Sequence, residues 1–190
     1  MLRKLQPQPP VIIKKAVTTT VTPQAKVIQL DGLEVQDPLL PNRTLGEAVK
    51  MTKVYPIIYI FENSVRNIIS LVLAKKYGED WWATRVAKSV KDKVQKRMDK
   101  ESDNPWHGKR GSAPIFYTSI GDLVSIIKDN WGDFMNLFPS QSWIESKISE
   151  IELSRNIIAH NNPLLNRDIN RIKVYFEDWE AQLKTVKDKI

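Results

Sequence analysis

The chain has 190 residues, enough for one good core plus an appendage and too few for two full domains. With no cysteine, disulfides and thiolate chemistry are excluded, and with no run near ~20 consecutive apolar residues no membrane span is expected. The net charge of +7 favours acidic partners, nucleic acid first, through phosphate attraction.

The N-terminus, MLRKLQPQPPVIIKKAV, starts basic but lacks an adequate apolar core and a small-residue cleavage site, so it does not read as a signal peptide. A cytoplasmic protein is expected. Residues 1–44 hold six of the eleven prolines and a single glycine. Proline fixes the backbone and removes a donor, so TTTVTP and PQPPVII are not helical. This stretch reads as an extended, proline-rich arm with short strands around 11–21 and 26–30. Two roles stay open for it: a disordered linker, or an arm that docks on a protein partner.

From Leu45 to residue 190 the period is helical. With Val54 as origin, Ile57, Ile58, Phe61, Val65, Ile68, Ile69 and Val72 share one stripe. Pro56 suits a first turn and Gly78 a helix stop. A second helix is expected over 79–102, with Ala83, Val86, Ala87, Val90, Val94 and Met98 on its apolar side. Residues 104–118 carry Gly and Pro twice each and read as a loop. Helices are expected at 119–129, 131–137, 141–161 with Ser140 as N-cap, and 167–188. The sum is an all-α bundle with short connections.

On the helix 141–161, with Trp143 at zero, Arg155 falls at about 120°, among Ile144, Ile148, Ile151 and Ile158. A guanidinium there needs a carboxylate, a polar cleft, or a route out along its stem. Glu62 flanks the first stripe and is the candidate partner; it is also an i,i+4 neighbour of Arg66, and a surface pair with Arg66 alone is the competing reading. Asn156 and His160 share a different face with Leu153 and Ile157, so the helix is apolar on two sides. One side suits its own core and the other a second subunit. Pro163 leaves His160 in the last turn, where a protonated imidazole is favoured.

Between Arg85 and Arg110 lie nine Lys and Arg against four Asp and Glu. A solvated helix face and an RNA-backbone groove both fit; the groove would use Lys88, Lys91, Lys109 and Arg110, with Arg66. His107, beside Trp106 in a basic loop, is placed either to stack on a base or simply in solvent. Two distant histidines without cysteine argue against a structural zinc site, and there is no phosphate-binding glycine loop, so neither metal nor cofactor is expected.

SRNIIAHNN, together with IFENSVRNII, KKYGEDWW, IGDLVSIIKDNW and YFEDWEAQL, resembles the HEPN superfamily, in the branch found in bacterial proteins and appended to a eukaryotic RNA endonuclease. The resemblance spans roughly 45–185 in the expected order. It implies an all-α bundle that dimerises. In active members Arg and His from both subunits form a composite cleft that cuts RNA without metal, using the 2′-hydroxyl as nucleophile. Carried over, His160 is the general acid/base, Arg155 stabilises phosphate charge and Asn156 orients groups, with Glu62 in support. Many members act in toxin–antitoxin or phage-defence systems; others are inactive dimerisation, adaptor or nucleotide-binding modules. On an ideal helix Arg155 and His160 diverge by about 140°, which favours a site shared between subunits.

Overall fold

The computed structural model describes residues 27–30, 32–35, 37 and 39–189. The chain divides into two compact units between Leu45 and Gly46. In the first, β1 (Ile28–Leu30) pairs antiparallel with β2 (Leu33–Val35), Ile28 opposite Val35 and Gln29 opposite Glu34. The strand expected at 26–30 is β1. Its partner was not anticipated, although the Asp31–Gly32 dipeptide is the short-hairpin signal and Gly32 takes φ 81°. The strand expected at 11–21 lies outside the described residues.

Helix α1 (Asn42–Thr52) begins three residues before the expected onset and continues into the second unit. Helix α2 (Tyr55–Tyr77) carries Pro56 in its first turn, where its missing N–H costs nothing. Gly78 closes it at φ 72°, its N–H donating to the Ala74 carbonyl at 2.9 Å. The helix expected over 79–102 is two helices, α3 (Trp81–Arg85) and α4 (Lys88–Ser102). Val86 and Ala87 between them are extended. The break is held from outside: Asn130 Nδ2 donates to the Arg85 carbonyl at 3.1 Å, and Arg85 Nε donates to Asn130 Oδ1 at 3.0 Å. The kink buries Val86 with Val90 and Val94 and leaves Ala83 exposed, against expectation.

A 3₁₀ turn (Pro114–Tyr117) ends the long loop. Helix α5 (Ile120–Asp129) starts on a capping box: Ser119 Oγ accepts from the Asp122 N–H while Asp122 accepts from the Ser119 N–H. Short α6 (Trp131–Phe134) follows, then α7 (Gln141–Ala159), capped by Ser140 as expected, and α8 (Asn166–Val186).

The second unit is an all-α bundle in which α2 touches α5, α7 and α8. Its main core gathers Phe61, Val65, Ile69 and Leu73 of α2 with Ile126, Ile148 and Trp179. Trp179 packs against Phe61 and Phe138, with ring centroids 5.1 and 5.6 Å apart, and donates from Nε1 to Ser64 Oγ at 3.0 Å. A buried indole thus keeps its one donor satisfied. A second, smaller cluster of Val54, Ile58, Leu164, Ile169 and Ile172 lies beside it. The segment Asn42–Tyr77 contains an 18-residue window of mean hydropathy 1.4, long and apolar enough to cross a bilayer by composition. In the bundle its central stripe is closed off by neighbouring helices.

Candidate functional site

The two apolar clusters part between α2 and α7, and a cleft of about 710 Å³ opens there. On α7, Ile144, Ile148 and Ile151 enter the main core, and Ile158 packs on the smaller cluster. Arg155 lies between them. On α2, Phe61 and Val65 enter the main core and Ile58 the smaller one, with Glu62 between. The two helices therefore bring their charged residues to the same gap.

Glu62 answers both readings of its partner. One carboxylate oxygen takes Arg66 Nη2 in a close ion pair, and the other lies 3.8 Å from Arg155 Nε. Glu62 and Arg66 side chains are each only 12 % exposed, whereas Arg155 is 45 % exposed. This corrects the helical-wheel placement of Arg155 inside the buried face: the wheel assumes a continuous apolar wall, and the wall is interrupted there. Arg66 also donates to Asn63 Oδ1 at 3.3 Å and to the Thr118 carbonyl at 3.3 Å, so its plane is fixed. Its Nε is buried without a partner among the described residues.

Arg110 of the loop also reaches the cleft, giving three guanidinium groups to one carboxylate along its wall. Tyr55, Tyr59, Asn63, Phe116 and Asn161 line it too, and none was singled out from the sequence. Tyr59 stands one turn before Glu62 on α2 and Asn63 directly follows it, a placement visible in the sequence; Phe116 and Asn161 carried no such signal. Gly111 makes room for Phe116, whose Cδ2 lies 2.5 Å from where a Cβ on Gly111 would be.

Asn156 Oδ1 accepts from Arg155 Nη1 at 3.4 Å on the exposed side of α7. His160 is the C-cap residue of α7, its backbone N–H donating to the Asn156 carbonyl at 3.2 Å. Asn161, at φ 58°, then turns the chain in the left-handed conformation that asparagine tolerates, before Pro163. The His160 side chain is exposed and does not line the cleft; its ring makes no hydrogen bond among the described residues. Within one chain, then, Arg155, Asn156, Glu62 and Arg66 come together and the His160 ring does not join them.

The basic residues of 85–110 separate into two groups. Lys88 pairs with Asp92 on its own helix at 2.7 Å, and Lys91 donates to the Ala83 carbonyl at 2.8 Å, bracing α3 against α4. Neither lines a cleft described here. His107, Lys109 and Arg110 line a second cavity, of about 480 Å³, which shares Arg110 with the first. Among the described residues no group of acidic residues and histidines is disposed to hold a metal ion.

Residues 57–184, two-thirds of the chain, match the family described as Swt1-like HEPN. The match takes in Glu62 and Arg66 on α2, the basic loop and the Arg155–His160 segment. No curated protein and no solved structure matches the chain.

Proposed function

The chain belongs to the Swt1-like HEPN family, and from that premise we propose that it is an endoribonuclease acting as a homodimer. The supporting observation is Arg155: a half-exposed guanidinium at the wall of a cleft, held by a nearly buried carboxylate, with Arg66 and Arg110 beside it. An arginine held by a carboxylate on one edge can still take up an anion if its other edge stays in solvent. This one is oriented by Glu62 yet still open to an anion.

In the proposed reaction the 2′-hydroxyl of the substrate attacks the adjacent phosphorus. A base takes its proton, the 5′-oxygen leaves with a proton, and the products are a 2′,3′-cyclic phosphate and a 5′-hydroxyl end. No metal enters the reaction. His160 serves as the acid/base, and Arg155 stabilises charge developing on the non-bridging oxygens. Asn156 fixes the Arg155 fork, and Glu62 anchors it from behind. Because the His160 ring lies off the cleft of its own chain, the site is completed across the dimer. Leu153 and Ile157, 62 % and 40 % exposed on the same side of α7, supply the apolar surface for that pairing. In this reading the protein works in the cytoplasm, in a toxin–antitoxin or phage-defence setting, and the proline-rich segment before α1 is the part that contacts an antitoxin or other partner.

The test is cleavage of single-stranded RNA in EDTA. His160→Ala is expected to lower the rate by about 10²- to 10⁴-fold, the usual worth of a positioned acid/base. Full activity in that variant would remove the assigned role. One observation favours a second reading, a catalytically inactive adaptor that dimerises and binds RNA or nucleotide: His160 does not line the Arg155 cleft of its own chain. That reading expects binding without cleavage in the unsubstituted protein.

A further inference from the structure

The second cavity is built by the end of α4 and the loop after it. Trp106 stands at its mouth, 79 % exposed and without a ring contact among the described residues. An indole exposed to this extent keeps a free π-face on which a base can stack. The loop that carries it is nevertheless fixed. The Arg110 N–H donates to Glu101 Oε2 at 3.2 Å, and the Tyr117 hydroxyl donates to the same oxygen at 2.5 Å. The His107 N–H donates to the Asn104 carbonyl at 3.0 Å.

The charges at this cavity are unevenly spent. Arg97 is tied to Asp122 at 2.7 Å and Arg110 to Glu101 at 3.4 Å. Lys100 and Lys109 make no ion pair among the described residues. An aromatic face flanked by uncompensated cations suits a nucleotide, which offers a π-face and a phosphate together. An apolar peptide would want further exposed apolar side chains around Trp106, and the cavity lining offers none. Arg110 faces both cavities, so one strand passing it would place successive nucleotides in each.

We propose that this loop cavity is a subsite for a single-stranded RNA nucleotide flanking the one held beside Arg155. Trp106 stacks on its base, Lys100 and Lys109 hold its phosphates, and Arg110 joins the two subsites. The subsite rests on the RNA reading given above.

The test is fluorescence anisotropy of the full chain with a labelled 2′-O-methyl RNA of about 12 nucleotides, which cannot be cut by 2′-hydroxyl attack and spans more than one subsite. Trp106→Ala is expected to weaken binding about 5- to 150-fold, the worth of one stacked base, with Trp106→Phe restoring most of it. Lys100→Ala and Lys109→Ala should each reduce the salt slope by about one. If Trp106→Ala binds as tightly as the unsubstituted chain while Arg155→Ala is weakened, the subsite is overturned and the RNA reading stands. Equal loss in the Ala and Phe variants overturns the stacking role. If the unsubstituted chain binds no single-stranded RNA, both proposals fall together.

Discussion

Glu62 is a single carboxylate shared by two arginines with different needs. Arg66 is nearly buried and has no other counter-charge on it among the described residues, while Arg155 is half in solvent. Removing the carboxylate strands Arg66 in a poorly hydrated place, so Glu62→Ala should cost about 2–4 kcal/mol. Removing the exposed partner is cheaper, and Arg155→Ala should stay within about 1 kcal/mol. Urea unfolding of both variants checks this asymmetry; equal losses would make Arg155 a structural ion pair. The i,i+4 spacing of Glu62 and Arg66 is legible in the sequence. The meeting of Glu62 with Arg155 is not, because the two are far apart along the chain and only the packing of α2 on α7 brings them together.

At the scale of elements, helices whose ends carry their own signals were legible. Pro56 and Gly78 bound α2, and Ser140 opens α7. The α3/α4 break was not, because its donor, Asn130, comes from beyond α5 and local sequence holds no mark of it. The start of α5 also makes a contribution to stability that depends on pH. Burial pushes the Asp122 carboxyl up, but hydrogen bonds from Arg97 and Ser119 outweigh it and hold the group below its ordinary value. A lowered folded-state pKa stabilises the fold above about pH 4, where an unfolded aspartate is ionised, and the gain is lost as pH falls through the lower folded value. Asp122→Asn should therefore lower the melting temperature at about pH 7 by clearly more than at about pH 3. Thermal melts at both values decide it; an equal deficit at each would show that Asp122 acts without its charge.

At the scale of the molecule, α7 is apolar on two sides, and among the described residues one of them is closed into the core while the other stays exposed. Ile144, Ile148 and Ile151 are closed into the core, while Leu153 and Ile157 remain exposed. If those two seat a second copy, Leu153→Glu with Ile157→Glu should give a monomer by light scattering, with helical content unchanged and RNA cleavage lost. A dimer of unchanged affinity would move the interface elsewhere. The sequence by itself determined the helical class, most helix ends, the family resemblance and the two-sided character of α7, because these follow from local periodicity and capping. The tertiary structure decided the kink between α3 and α4, the gap that turns Arg155 from a core residue into a cleft residue, and the absence of His160 from that cleft. Each of these depends on which surfaces of distant helices meet, and that is set by packing across the whole bundle.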